Sequence, residues 1–195
     1  MDEFEVERSD FGGGTLGVEL GIRGGEHLEI LLGIDGGQTT VNHASRRFEE
    51  LDGSPIRQST RVRFGPAVQA GLAVYPLGRG ETLGTFAWVP RTIAPFAAGG
   101  IGVGAWEFRQ FGDFVDEDPP EGGGPVIFAD DFASDGAAFL TWAAAGVELS
   151  LRHNLALVLE GRYQWSESAF DGDFGLFDPI DLSGSRLTVG LTARF

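Results

Sequence analysis

The sequence predicts an all-β protein built from long antiparallel strands. Apolar and polar residues alternate through most of the chain, which places the apolar side chains of each segment on one face of a strand. Glycine is abundant, with 31 residues, and Gly-rich or polar breaks separate the alternating segments as turns do. No apolar run approaches the roughly 18 residues that a membrane-spanning helix needs.

Composition limits the class of protein further. Of the 195 residues, 42% are hydrophobic and 22% are charged, which suits a single folded domain over 1–195. The chain has no cysteine, which excludes disulfide frameworks and thiolate metal sites. Every positively charged side chain is arginine and the formal net charge is -15, so electrostatic binding to nucleic acid is not expected.

Seven segments show the alternation of a strand. In the first of them, Leu16, Val18, Leu20 and Ile22 share one face and Glu19 lies on the other. The same pattern recurs to the end of the chain. The predicted strands cover residues 14–23, 27–35, 61–75, 93–111, 137–151, 155–165 and 183–195.

The fourth segment departs from simple alternation near its end. Ile101 and Val103 lie on one parity, whereas Trp106 and Phe108 lie on the other. We therefore expect a β-bulge or a rotation of this strand near Trp106.

The two faces of these strands suggest what surrounds them. The polar parity is rich in Gly, Ala and Thr with Arg and Glu of nearly balanced sign, which suits the crowded interior of a narrow barrel. The apolar parity is almost free of charge, as lipid contact requires, because an arginine facing the bilayer midplane costs about 2–4 kcal/mol. The prediction is a closed antiparallel up-and-down transmembrane β-barrel; the alternative is a soluble sandwich or lipocalin-like barrel.

The connections between strands alternate in length. Tight turns are predicted at 24–26 and 152–154, and bacterial barrels place short turns in the periplasm and long loops outside. The last strand would then run from the outside to the periplasm. Long loops are predicted at 43–57, 111–136 and 166–184. Aromatic residues are predicted at both membrane interfaces, with Tyr163, Trp165, Trp106 and Phe108 at one end of the strands and Tyr75, Trp88 and Phe195 at the other.

Three stretches resemble small bacterial outer-membrane barrels of the OmpA and OmpW kind. They are PFAAGGIGVGAW, GVELSLRHNLALVLEGRYQW and the terminal RLTVGLTARF, and the resemblance extends over most of residues 11–195. It implies an outer-membrane location, contact with outer-membrane lipid, and a C-terminal signal read by the barrel-assembly machinery. The signal residues that it implies are Leu187, Val189, Leu191 and Phe195.

Single-chain bacterial barrels have an even number of strands, and an eighth strand is therefore expected before residue 14. Residues 1–10 offer only Phe4 and Val6 in an alternating stretch, so they are expected to be irregular or the remnant of a first strand. The start MDEFEVERSD also lacks the features of a secretory signal. We expect the signal peptide and most of the first strand to precede Met1.

Charged residues on the inward parity are expected to form a network inside the barrel, because an unpaired buried charge is very costly. Such a network is either a plug of salt bridges or a gated ion path. Its predicted members are Glu19, Glu29, Arg61, Arg63, Glu148, Glu160, Arg162 and Arg186, with Arg23, Asp35, Arg57 and Arg194 on the same parity.

Catalytic and metal sites are not predicted. His43 and Ser45 with Glu49 or Glu50 are the residue types of a serine hydrolase, but their place at a loop favours a solvated role, and His153 is followed by Asn154 and Leu155 rather than a serine. GGIGVG (99–104) has no following helix, which favours close strand packing over a nucleotide loop. The loop carboxylates lack calcium-loop spacing and are expected to be solvated; they are Asp113, Asp116, Glu117, Asp118, Asp130, Asp131, Asp171, Asp173, Asp178 and Asp181.

The expected function is therefore that of a non-enzymatic outer-membrane barrel without cofactors, whose acidic outer loops meet envelope components or ligands. The first alternative is a narrow pore or a transporter of small hydrophobic ligands. The second alternative is a lipid-modifying enzyme. The fold hosts all of these functions, and the sequence names no ligand and no oligomeric state.

Overall fold

The computed structural model describes residues 12–49, 54–83, 87–116 and 125–194. It confirms an all-β chain whose main sheet is antiparallel. No helix in these four ranges is long and apolar enough to cross a membrane. The strands are β1 (Gly14–Arg23), β2 (Leu28–Glu49), β3 (Pro55–Val74), β4 (Gly80–Leu83), β5 (Ala87–Pro90), β6 (Ile93–Asp116), β7 (Val126–Arg152), β8 (Leu155–Ser168), β9 (Ile180–Asp181) and β10 (Gly184–Ala193).

The main sheet follows the order of the chain, β1-β2-β3-β6-β7-β8-β10, and its seven strands correspond to the seven that the alternation predicts. The tight turns are also present, at 24–27 and at His153–Asn154. Strands β4 and β5 form a separate hairpin between β3 and β6, and the short β9 pairs with the end of β8.

Strands β1 and β10 are the edges of the sheet. Among the described residues β1 pairs only with β2 and β10 pairs only with β8, so the sheet is not closed. Since successive strands in the path alternate in direction, the first and the seventh run the same way and cannot pair antiparallel with each other. Closure by an eighth strand stays a prediction.

The two faces of the sheet differ in which side chains they bury and which they expose. Charged and polar side chains such as Glu29, Gln69 and Glu148 are buried on the concave face, 4%, 5% and 1% exposed. The convex face carries exposed apolar side chains, including Leu16 at 85% and Leu187 at 91%. We call its outward residues the apolar band: 16–22 of β1, 28–34 of β2, 66–74 of β3, 93–105 of β6, 137–151 of β7, 155–165 of β8 and 187–193 of β10, in alternate positions.

A β-bulge in β3 reverses the faces of that strand. The register shifts between Phe64 and Ala67, where Gly65 has a φ of 109°, a conformation that favours glycine. After the bulge Gln69 points inward as predicted. Before it, residues of the opposite parity are buried, so the predicted inward positions of Arg57, Arg61 and Arg63 are wrong and these residues lie on the convex face.

Strand β6 has no bulge, contrary to the prediction. Its pairing with β7 is continuous from Ile93 to Asp116, and Trp106 is simply an inward residue, 3% exposed. The aromatic prediction is likewise wrong for Tyr75, which is 5% exposed inside the sheet. Tyr163 and Trp165 do lie on the convex face, 43% and 50% exposed.

Two predicted long loops are largely strands. Pairing of β2 with β3 continues to Glu49 and Pro55, and pairing of β6 with β7 continues to Asp116 and Val126. These four strands therefore extend as a sheet beyond the ends of β1, β8 and β10. The third connection contains a 3-10 turn at Gly172–Phe174 and the short strand β9.

Candidate functional site

The concave face holds two clusters of charged side chains. The first cluster surrounds Arg79, which follows β3 in the connection to β4. Its guanidinium donates from Nε and Nη2 to both carboxylate oxygens of Glu148 on β7, with distances of 2.7 to 3.1 Å, and from Nη1 to Glu29 on β2. The Tyr75 hydroxyl donates to the other oxygen of Glu29 at 3.0 Å. This one arginine thus joins strands from both halves of the sheet.

Arg194, which follows β10, completes the first cluster. It donates to Glu148 and, at 2.9 Å, to the Ser150 hydroxyl. The ring of Trp88, from the β4–β5 hairpin, packs near this cluster with the Arg23 guanidinium 4.1 Å from its centroid and that of Arg194 at 5.6 Å. The end of the sheet that carries the tight turns is therefore filled by paired charges and an aromatic ring.

Arg162 on β8 is the centre of the second cluster. It donates to Glu160 at 2.8 Å, to Gln69 at 3.1 Å and to Glu19 at 3.3 Å, and its guanidinium lies 4.0 Å from the centroid of Trp142. Contacts to three different strands and one ring satisfy a cation that is only 9% exposed.

A neighbouring pair extends the second cluster towards the sheet edge. Arg186 on β10 lies 2.6 Å from Asp35 on β2, and Asp35 also accepts from Gln69 at 2.8 Å. A cavity of about 360 Å³ adjoins both clusters and reaches the edge strands β1 and β10. Its polar lining comes from residues of the two clusters together with Thr15, Thr188 and Thr192.

Glycines make room for the ring that supports Arg162. A Cβ at Gly71 would lie 2.5 Å from the Trp142 ring, and one at Gly100 would lie 2.8 Å from it. Gly100 belongs to the GGIGVG stretch in β6, so close packing accounts for a glycine there, as expected.

Six of the eight predicted network residues meet in these clusters: Glu19, Glu29, Glu148, Glu160, Arg162 and Arg186. The other two, Arg61 and Arg63, lie on the convex face because of the bulge at Gly65. Their network role is therefore wrong. Whether the clustered six have a functional role stays a prediction.

Arg79 is the central residue that the sequence interpretation missed. It sits outside every alternating segment, in a connection whose composition is typical of a solvated turn. The predicted inward positions at this end include two acids, Glu29 and Glu148, and two cations, Arg23 and Arg194, so charge balance did not indicate a further arginine.

The residues of the predicted hydrolase trio are described only in part. His43 is buried on the concave face of β2, 8% exposed, and burial lowers its pKa, opposed by a hydrogen bond with Gln58. The side chains of Ser45 and Glu49, and all of Glu50, lie outside the described residues. In the described part of the chain, no group of three or more His, Cys, Asp or Glu side chains is close enough to hold a metal ion.

The apolar residues of β10 lie on the face that the alternation predicts. Leu187, Val189 and Leu191 lie on the convex face of β10, 91%, 73% and 70% exposed. Phe195 lies outside the described residues, and the assembly role of these four residues stays a prediction.

Comparison of the chain with protein-family models, with curated proteins and with solved structures finds no match. The resemblance to OmpA and OmpW therefore stays a prediction that rests on the quoted stretches.

Proposed function

We propose that the chain forms a non-enzymatic, membrane-spanning β-barrel of the bacterial outer membrane, which carries long hairpins on its outer side. One observation supports this proposal most directly. None of the outward residues of the apolar band is Asp, Glu or Arg, whereas the opposite face of the same strands holds ion pairs with Glu29 and Glu148 almost fully buried. Water outside would favour the reverse arrangement, and lipid favours this one.

The height of the apolar band supports the same proposal. On β6 it runs from Ile93 to Ala105. At about 3.3 Å per residue this is about 40 Å along the strand, or about 30 Å at a typical tilt of about 40°. The apolar band of known outer-membrane barrels is about 25 Å tall. Beyond Ala105 the next outward residues are Glu107 and Arg109, so charge begins where the band ends.

A closed barrel requires one more strand between β1 and β10, because lipid cannot satisfy an exposed strand edge. We propose that this strand runs antiparallel to both edges. Its outer end would then lie next to Gly14, where β1 begins. The cavity beside β1 and β10 would receive its inward side chains.

The interior favours a barrel that serves as a scaffold over an open pore. Buried Leu31, Phe96, Leu140 and Trp142 belong to a core inside the curved sheet, and the two charged clusters lie beside it, next to the cavity of about 360 Å³. A solute would have to separate buried ion pairs to pass, which is costly. A narrow pore and a lipid-modifying enzyme remain the alternatives that experiments address directly.

The proposal is tested by expressing the protein behind a bacterial export signal and isolating outer-membrane fractions. We expect a species whose gel mobility changes on heating and that requires detergent for extraction. A stable monomer that purifies without detergent would overturn the proposal.

Two further measurements separate the alternatives. Steady single-channel currents in planar bilayers would favour a pore, and a change in lipid A mass spectra on expression would favour an enzyme. Silent bilayers and unchanged spectra support the scaffold.

A further inference from the structure

Four arginines form a patch on the convex face just above the apolar band. Arg57, Arg61 and Arg63 lie on β3 before the bulge, and Arg109 lies on the adjacent strand β6. On β3 the outward residues run Val68, then Pro66, then across the bulge to Arg63. We call these four residues the arginine patch.

Two members of the arginine patch have carboxylate partners, and the other two have none among the described side chains. Arg63 lies 3.4 Å from Glu107, and Arg109 donates from Nε and Nη2 to Asp131 on β7. Among the side chains that the structure describes, no carboxylate lies within ion-pair distance of Arg57 or Arg61. Arg57 is exposed, and Arg61 keeps a shielded Nε without a hydrogen-bond partner.

The register of the sheet makes this arrangement unfavourable without a further partner. Arg61 and Arg109 are directly opposite each other on β3 and β6, and like charges in that position repel. Asp131 forms its direct ion pair with Arg109, and its charge acts on Arg61 only at longer range. An anion placed over Arg61 and Arg109 would be attracted by both guanidinium groups and would relieve their repulsion. Guanidinium groups are well suited to bidentate binding of such an anion.

We propose that the arginine patch binds the phosphate groups of a phosphorylated lipid in the outer leaflet. This inference rests on the proposed membrane orientation. Arg63 is the first outward residue of β3 beyond the apolar band, which is the height at which lipid headgroups meet the protein. The Phe111 ring, 5.4 Å from the Arg61 guanidinium, adds an apolar surface beside the charges.

A lipid fits the patch better than a soluble polyanion does. The whole chain carries a formal net charge of -15, which repels dissolved anions at long range. A lipid anion is held by the membrane at the height of the patch, so its local concentration is high and the long-range repulsion matters less. Short-range contacts with Arg57 and Arg61 then decide the binding.

The test uses the full chain folded in detergent micelles, with native mass spectrometry to count bound lipid. The probes are bis-phosphorylated lipid A, its dephosphorylated form, phosphatidylcholine and inorganic phosphate. The patch variant is Arg57→Gln with Arg61→Gln. The control is Arg152→Gln. Arg152 is an exposed arginine at the last residue of β7, at the end of the sheet where the tight turns lie. Heat-modifiable gel mobility verifies that each variant is folded.

We expect the folded protein to retain bis-phosphorylated lipid A in preference to the other probes. The patch variant should bind it about tenfold more weakly, as expected for the loss of charge-assisted contacts, and the control should bind it like the wild type. Asp131→Asn should bind it more tightly, since it releases Arg109. This gain cannot arise from misfolding.

Three results would overturn the inference. The first is equal binding by the wild type and the patch variant, and the second is an equal loss in the Arg152 control. The third is binding of inorganic phosphate with no preference for the phosphorylated lipid, which would indicate a site for free anions. If any of these results is obtained with a folded, detergent-dependent barrel, the lipid-binding inference is wrong but the proposed function still holds. If the wild type does not fold in detergent, both the inference and the proposed function are wrong.

Discussion

Arg162 on β8 donates a hydrogen bond to Glu19 on β1 over 3.3 Å, although these strands are the sixth and the first in the order of the sheet. The contact spans 143 positions of the chain. Such a bond forms only if the sheet curves until its two ends face each other. It therefore links the curvature of the sheet to the charges on its concave side.

Removal of a buried carboxylate should destabilise the protein strongly. Glu148 accepts from Arg79 and Arg194 and is 1% exposed, so Glu148→Gln leaves two buried cations with one fewer countercharge. We expect a loss of about 3 kcal/mol in the free energy of unfolding, measured by urea titration in micelles. Glu81→Gln removes the partner of an exposed pair with Arg91, 3.5 Å apart, and should cost less than about 1 kcal/mol. Equal losses would contradict the buried cluster.

A charge in the apolar band distinguishes lipid from water on the convex face. Val68 is 64% exposed, and Val68→Arg should cost about 2–4 kcal/mol if lipid surrounds it, but almost nothing if water does. Val68→Ala, which adds no charge at the same position, serves as the control. Folding titrations into lipid vesicles measure both variants. A Val68→Arg protein as stable as the control would rule out lipid contact at this position.

Added volume beside Trp142 should be poorly tolerated. Gly71→Ala places a Cβ 2.5 Å from the Trp142 ring and 2.7 Å from the Gly99 carbonyl oxygen, and we expect a cost of about 1–3 kcal/mol. Gly33→Ala is the matched control, since its Cβ meets nothing closer than 3.6 Å. The difference in urea midpoints measures the effect, and identical midpoints would argue against Trp142 in this position.

Asp131 should titrate below its ordinary pKa of 3.8. The hydrogen bond from Arg109 is the main cause and its charge adds to the effect, while desolvation opposes them. A depressed pKa means that the pair is intact above the ordinary value and is lost only as the pH falls through the lowered one. Carboxyl chemical shifts followed by NMR should show this. Arg109→Gln should return the Asp131 pKa towards 3.8, and a titration unchanged by that substitution would exclude the pair.

The last strand offers a test of assembly. In the exported protein, Phe195→Asp should lower the yield of heat-modifiable barrel in outer-membrane fractions, because it removes the aromatic terminus and adds charge. Thr192→Ala, on the inward parity of β10, should change little. Similar yields from the two variants would falsify a lipid-facing role for the apolar parity of this strand.

The alternation of apolar and polar residues predicted the strands and most of their faces. Successive side chains of a strand point to opposite faces of the sheet, so two faces with different surroundings require different residues at alternate positions. The bulge at Gly65 escaped prediction for a specific reason. Phe64 and Val68 are both apolar and both even-numbered, so the alternation continues through the bulge unbroken, although Phe64 packs inside and Val68 outside. Only pairing with β2 and β6 distinguishes the two faces.

The site was predicted less completely than the fold. Arg162 and Glu148 lie within alternating strands, and their parity identified them. Arg79 enters from a connection, where no periodicity indicates a direction, and its role depends on contacts with strands that are distant in sequence. The strand extensions at 43–49 and 126–136 also escaped prediction, since backbone pairing there continues without an apolar face of the usual kind.

Among the described strands, β2, β3, β6 and β7 alone continue past the level at which the outer ends of β1, β8 and β10 lie. In the proposed orientation these four strands project above the outer leaflet on one side of the barrel. Their concave side is lined by phenylalanine rings, among them Phe114 and Phe132, and the Phe174 ring from the β8–β10 connection covers part of them. A large ligand that approached along the outer leaflet would meet these extended strands on one side of the barrel, whereas the described strands on the other side end lower.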